Sequence, residues 1–112
     1  MSRLPRTVVI GLPTSKSIDE VQHEVSRVLS TKLSEHESRY FGGRYFRAGS
    51  PGGEEVYVFN NFDLIDAAPF YEDAIDLPIL LRIDSGGRDP EQLLAVLTEV
   101  FGAGSRVLET GV

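Results

Sequence analysis

One feature of this sequence constrains the fold more than any other. Residues 78–84, PILLRID, form a nearly continuous apolar run. Runs of this kind are typical of central strands, whereas strands with one face in water alternate apolar and polar side chains. The chain has 112 residues, which fits one domain spanning residues 1–112. With 41% hydrophobic and 25% charged residues, it should bury a modest core.

Two segments show the three- and four-residue apolar spacing of amphipathic helices. The first is expected to begin at Ser15 or Ser17 and to run from about residue 17 to about residue 38. The second begins at Asp89, which precedes Pro90 at the first helical position, and ends at Gly102. The apolar stripe of the first helix consists of Ile18, Val21, Val25, Val28, Leu29 and Leu33.

Short β-branched and aromatic segments predict the other strands. They cover residues 7–12, 44–47, 56–59 and 105–109, with a glycine-rich turn at residues 49–53. The order β-α-β-β-β-α-β predicts an α+β two-layer sandwich, in which one mostly antiparallel sheet has two helices packed on one face. The strand–helix–strand units at the two ends resemble a split, ferredoxin-like arrangement with an elaborated middle.

Charge is distributed unevenly along the chain. The formal net charge is −6, and residues 48–112 hold twelve acids but only three basic residues. Seven acids and no basic residue lie between Arg47 and Arg82, which predicts either a negative surface patch or an acidic loop that only aids solubility. Because nucleic-acid binding needs clustered basic residues, we expect no nucleic-acid partner.

The sequence also bears on the compartment. No apolar run approaches the length of a membrane span, and the first residues lack the apolar stretch of a secretory signal. We therefore expect a cytoplasmic protein without membrane contact.

The residue types that common catalytic chemistry needs are absent or badly spaced. The chain has no Cys, which excludes thiolate catalysis, disulfides and Cys-ligated metals. His23 and His36 are both expected on the first helix, about 20 Å apart, too far to share a metal or a substrate atom. Lys16 lacks the preceding Gly of a phosphate-binding loop, and the carboxylates lack calcium-loop spacing. We expect no catalytic residue, no metal site and no cofactor.

The most informative stretch for function is the acidic segment, residues 60–76, which interleaves carboxylates with large apolar side chains. It is long for a connection between strands, and long connections in compact domains are often binding loops. Aromatic anchors surrounded by negative charge suit a basic protein partner. In the alternative interpretation, Phe62, Leu64 and Phe70 only cover one end of the sheet. The candidate partner-binding residues are Asp63, Asp66, Phe70, Tyr71, Glu72, Asp73 and Asp76.

Three segments follow one another in the last two-thirds of the chain: SRYFGGRYFRA (38–48), EVYVFNNFD (55–63) and LPILLRID (77–84). This succession, together with small size and acidity, resembles the immunity proteins of bacterial polymorphic and contact-dependent toxin systems. The resemblance implies a non-enzymatic protein that docks on a toxin domain, often over a basic active-site cleft, and neutralises it by tight binding.

Three hypotheses about function follow. The first is an acidic protein-binding module, most concretely an immunity protein or inhibitor of a basic toxin or nuclease domain. The second is a structural or assembly subunit that forms a homodimer through an exposed sheet edge. The third is a small enzyme or ligand-binding protein with a pocket between the sheet and the helices.

Overall fold

The computed structural model describes residues 6–49 and 53–111, and the predicted α+β fold is confirmed. The elements are β1 Thr7–Leu12, α1 Ile18–Leu29, β2 Ser34–Ser38, β3 Gly43–Gly49, β4 Glu55–Asn60, β5 Ile79–Asp84, α2 Pro90–Phe101 and β6 Arg106–Gly111. The predicted elements occur in the predicted order, with β2 as an additional strand. The predicted turn at 49–53 includes residues 50–52, which lie outside the described residues.

The described strands form one sheet in the order β2-β3-β4-β5-β1-β6, with antiparallel pairing throughout. Strand β5 lies between β4 and β1, and β1 lies between β5 and β6. The connection from β5 through α2 to β6 therefore crosses over β1, as the split arrangement predicts. The hairpin of β2 and β3 extends this arrangement beyond β4, which accounts for the elaborated middle.

The larger apolar core lies between the two helices and one face of the sheet, as predicted. Alternate strand side chains point toward the helices, because successive side chains of a strand project to opposite faces. The buried members of this core are Val8, Ile10, Leu12, Val21, Val25, Leu29, Leu33, Phe46, Val56, Val58, Ile79, Leu81, Ile83, Leu93, Leu97 and Phe101.

Both helices begin at the predicted caps. The Glu20 amide donates to the Ser17 hydroxyl and the Ser17 amide donates to the Glu20 carboxylate, each at 3.2 Å, so α1 starts with a capping box. At α2, the Glu91 amide donates to the Asp89 carboxylate at 2.9 Å, with Pro90 in the first turn.

The predicted end of the first helix, at about residue 38, is wrong. Helix α1 ends at Leu29, because Ser30 adopts a left-handed conformation with φ of 51°. The Thr31 amide then donates to the Ser26 carbonyl at 3.0 Å, which closes the last turn. Leu33 continues the helical spacing of apolar residues and misled the prediction, although it is buried in the connection to β2.

His36 is consequently on strand β2 and not on a helix. Residues 34–38 contain no apolar side chain, so nothing in them favours a buried helical face. They pair instead with β3 along one edge of the sheet, and His36 lies opposite Tyr45. The two rings stack with centroids 5.5 Å apart.

The second face of the sheet, opposite the two α-helices, is covered without a third α-helix, although a short 3₁₀ helix, Glu72–Ala74, lies in the connection between β4 and β5. Val9, Phe59 and Leu80 are buried on this face, so β5 is covered on both sides, as its apolar run predicts. Leu77 is fully buried and packs directly over Gly11. A Cβ atom at position 11 would lie 2.9 Å from the Leu77 Cβ, closer than real Cβ contacts. Gly11 is therefore needed for close approach rather than for a special backbone conformation.

We expect Gly11→Ala to destabilise the protein by about 1–3 kcal/mol, because the added methyl group overpacks the contact with Leu77. The midpoint of urea unfolding measures the change. Gly111→Ala is the matched control, since a Cβ there would meet only the Thr7 Cβ, at 3.8 Å, in a strand on the same sheet. Equal midpoints for the two variants would contradict the close-approach explanation.

Candidate functional site

On the second face of the sheet, a row of cationic, aromatic, apolar and acidic side chains crosses five strands, β3-β4-β5-β1-β6. Strand register places Arg47 opposite Tyr57, Tyr57 opposite Arg82, Arg82 opposite Val9, and Val9 opposite Glu109. Tyr57 thus lies between two guanidinium groups, whose Cζ atoms are 5.6 Å (Arg47) and 6.0 Å (Arg82) from its ring centroid. Cation–π contacts at this range hold all three side chains over the sheet.

Each of these arginines also contacts an acid on the same face. Arg47 Nη2 lies 2.6 Å from Glu55, and Arg82 Nε donates to Asp84 at 3.1 Å. The Arg82 side chain is 38% exposed. In the described part of the chain its two terminal amino groups have no hydrogen-bond acceptor, so one end of the guanidinium is available.

A cavity of about 260 Å³ lies over the part of this row that Arg82, Val9 and Glu109 form. Its walls are mostly aromatic, and neighbouring rings contact one another: Phe59 and Phe70 have centroids 5.5 Å apart, and Tyr40 and Phe70 5.8 Å. The residues that line it are Val9, Tyr40, Phe41, Phe59, Phe70, Tyr71, Arg82 and Glu109. The cavity lies on the side of the sheet away from the helices, so the predicted location, between sheet and helices, is wrong for this pocket.

One buried side chain, Asn61, holds the acidic segment against the sheet. Its carboxamide nitrogen donates to the carbonyls of Ala74 at 3.0 Å and Tyr71 at 3.4 Å. Its carboxamide oxygen accepts from the Tyr71 amide at 3.0 Å, and its backbone amide donates to the Pro78 carbonyl at 2.9 Å. These bonds fix the position of Tyr71, and with it one wall of the cavity.

The structure brings only two of the seven candidate residues into the cavity. Phe70 and Tyr71 line it. Asp63 stabilises its own turn, because its carboxylate accepts from the Ile65 amide at 2.8 Å and its backbone pairs with Ala68. Asp76 pairs with Arg106 at 3.2 Å.

The remaining three candidates, Asp66, Glu72 and Asp73, are exposed. Among the described residues they form no ion pair.

The stretch between Arg47 and Arg82 contains no Lys or Arg, but in the folded chain arginines from outside it pair with some of its acids. Glu54 forms two hydrogen bonds with Arg88, at 2.7 and 2.9 Å, and Glu55 and Asp76 pair with Arg47 and Arg106. The predicted negative surface therefore carries less unpaired charge than the seven acids of the stretch suggest. It centres on the side chains of Asp66, Glu72 and Asp73.

Apolar side chains accompany these acids at the surface. Ile65 is 62% exposed and Ile75 is 72% exposed, and each precedes an acid in the sequence. Phe62 and Leu64 are also uncovered, whereas Phe70 packs on Phe59. Of the three side chains in the alternative interpretation, Phe70 packs on the sheet, and Phe62 and Leu64 are 39% and 40% exposed.

Tyr71 is partly buried among apolar side chains, with both Glu109 and Arg82 nearby. Its hydroxyl donates to Glu109 Oε1 at 2.9 Å. Burial, followed by this hydrogen bond and the negative charge of Glu109, raises the pKa of Tyr71 to about 12. Tyr71 therefore stays protonated and keeps donating to Glu109 at neutral pH.

Sequence reasoning missed Tyr40, Phe41, Asn61, Arg82 and Glu109 as site residues. Arg82 offered a usable signal, since a charged residue inside an otherwise apolar central strand must reach solvent or a partner. The other four offered none, because their roles depend on which parts of the chain meet on the second face.

In residues 6–49 and 53–111, no three His, Asp or Glu side chains come together as a metal-binding group. None of the helices in that part of the chain is both long enough and apolar enough to cross a membrane.

Comparisons with protein-family models, with curated proteins and with solved structures return no match for this chain. The functional argument therefore depends on the geometry and chemistry of the second face and of the acidic segment.

We expect Asn61→Ala to loosen the acidic segment, at a cost of about 1–3 kcal/mol, because it leaves buried backbone groups without partners. Hydrogen exchange should become faster at the amides of Tyr71, Ala74 and Leu77, while exchange in β1 and β5 changes less. Asn60→Ala is the matched control, because that neighbouring side chain forms no hydrogen bond within the described residues. Similar exchange in both variants would contradict the assigned role of Asn61.

Tyr71 should make stability fall at high pH. Because folding raises its pKa from 10.0 to about 12, its contribution is complete below about pH 10 and is lost as the pH rises to about 12. Urea midpoints across this range should decline less steeply in Tyr71→Phe and Glu109→Gln than in the wild type. Parallel declines in all three proteins would show that the tyrosine is not responsible.

Proposed function

We propose that the protein is a non-enzymatic binding module that docks on a basic protein through the acidic segment. One observation carries the proposal: exposed carboxylates that form no ion pair among the described residues share a single segment with exposed apolar side chains. Asp66, Glu72 and Asp73 supply the charge, and Ile65 and Ile75 supply the apolar contact. Interfaces commonly combine apolar anchors with a charged rim in this way.

The unpaired carboxylates favour a partner with a basic face. Opposite potentials accelerate encounter and disfavour partners of the same sign. Paired acids such as Asp76 contribute less to this attraction, since Arg106 already neutralises their charge. The charge that can steer a partner therefore resides mainly in Asp66, Glu72 and Asp73.

The acidic segment has a defined conformation before any partner binds. Asn61 fixes its second half, and the reciprocal backbone hydrogen bonds of Asp63 and Ala68, at 2.8 and 3.2 Å, close a turn in its first half. A surface that is ordered in advance loses less conformational entropy on binding, which raises affinity.

The most concrete form of this proposal is an immunity protein that neutralises a basic toxin or nuclease domain. The resemblance described above supports this form. Physically, a carboxylate surface competes for the same cationic side chains that a nuclease needs to bind phosphate groups. A small module could thus inhibit such an enzyme by covering its substrate cleft.

A homodimer through a sheet edge has weaker support. Strand β2 forms one edge of the sheet, and its Glu35 and Glu37 side chains are exposed. Charged residues on an edge strand oppose pairing with another strand. Arg44 pairs with Glu35, through contacts of 2.9 and 3.2 Å, and with Asp19 at 2.7 Å, whereas Glu37 forms no ion pair among the described residues.

The test compares two variants that change net charge equally. The first replaces Asp66, Glu72 and Asp73 by Asn or Gln, and the second replaces the exposed Glu37, Glu91 and Glu99 by Gln. Each tagged protein is used for affinity capture from its native host at about 50 and 200 mM salt, where screening differs. Any captured basic protein is then purified, and its association rates are measured.

We expect the first variant to associate about tenfold more slowly and with less salt dependence, while the second variant resembles the wild type. When the captured protein is produced in a bacterium, co-expression of the wild type should restore growth better than co-expression of the first variant. Equal association of both variants would exclude docking through the acidic segment. Association without any effect on growth would support a binding module but would exclude neutralisation of a toxin.

A further inference from the structure

We propose that the aromatic cavity on the second face of the sheet binds a small aromatic monocarboxylate, with its ring among the aromatic walls and its carboxylate on Arg82. This function is additional to docking on a protein, and binding of such a ligand requires no partner protein. The lining residues share no member with the exposed carboxylates Asp66, Glu72 and Asp73.

The size and walls of the cavity select a small ring. An apolar cavity of roughly 150 Å³ can hold benzene. About 260 Å³ therefore has room for one ring with a short polar substituent. Phe41 and Phe59 have centroids 5.0 Å apart in an edge-to-face arrangement, and Phe70 meets Phe59 at 90°. Rings in several orientations allow stacked and edge contacts with a planar ligand at the same time.

The available end of Arg82 selects an anionic substituent. Asp84 occupies its Nε, so the two terminal amino groups remain as a fork for a second acceptor. Guanidinium forks bind carboxylates through two parallel hydrogen bonds. Arg82 lies opposite Val9 in the floor of the cavity, which places this fork beside the apolar walls.

Neighbouring acids limit the ligand to a single negative charge. Glu109 lies across Val9 from Arg82, and Asp84 already contacts the guanidinium. A dianion such as a phosphate monoester would be repelled by both carboxylates with only one cation to hold it. A monocarboxylate is repelled less than a dianion, and the two terminal amino groups of Arg82 offer it two hydrogen bonds.

The experiment is a titration of the full-length isotope-labelled protein, followed by amide chemical shifts. The probes are benzoate, benzamide, cyclohexanecarboxylate and phenyl phosphate. We expect benzoate to shift the amides of Val9, Phe70, Tyr71 and Arg82, and to bind about tenfold more tightly than each other probe. Tighter binding of phenyl phosphate, equal binding of benzamide, or no shifts with benzoate would overturn the proposal.

Matched variants test the role of the guanidinium. Arg82→Met should weaken benzoate binding about tenfold, and Arg82→Lys should weaken it less, because the charge remains without the fork. Arg47→Met is the control, since Arg47 also contacts Tyr57 and an acid but does not line the cavity. The dispersion of amide shifts verifies that each variant is folded. Equal weakening by Arg47→Met and Arg82→Met would contradict the assignment of the carboxylate to Arg82.

Discussion

Strand β5 has buried side chains on both faces, so the sheet needs two covering layers. The two helices supply one layer. The second layer is built from irregular chain, which is demanding because backbone polar groups that leave water need partners. Asn61 meets part of that requirement through hydrogen bonds to Tyr71 and Ala74. The carboxamide of Asn61 thus helps to hold the acidic segment in place over the second face of the sheet, where β5 needs a covering layer.

An irregular covering layer also explains why the cavity lies where it does. Leu77 packs closely on Gly11, and Phe70 packs on Phe59, so this part of the second face is well filled. The part of the row that Arg47, Tyr57 and Arg82 form remains partly open to solvent. The cavity lies between the filled region and this row, where aromatic walls meet a guanidinium group. Its mixed chemistry follows from that boundary position.

Most of the fold was predictable because periodicity and capping act locally. The pattern limited the start of α1 to Ser15 or Ser17, of which Ser17 is the cap, and Asp89 marked the start of α2. The alternation in β4 placed Val58 and Phe59 on opposite faces. The end of α1 was not predictable in this way, since Ser30 adopts the left-handed conformation without the usual Gly or Asn. The cavity was not predictable either. Phe70 and Glu109 are distant in sequence, and only the packing of the acidic segment over β1 and β6 brings them together.

Ion pairing determines which acids can act on a partner, and sequence counts do not reveal it. Glu54, Glu55 and Asp76 belong to a stretch without a single Lys or Arg, yet arginines from β3, the β6 start and the loop before α2 neutralise them. These exposed or half-exposed pairs add little stability. Their main effect is to neutralise three of the seven acids in that stretch, so that the field around the acidic segment originates from the remaining carboxylates. Those carboxylates share the acidic segment with exposed apolar side chains, and the proposed docking depends on this combination of charge and apolar contact.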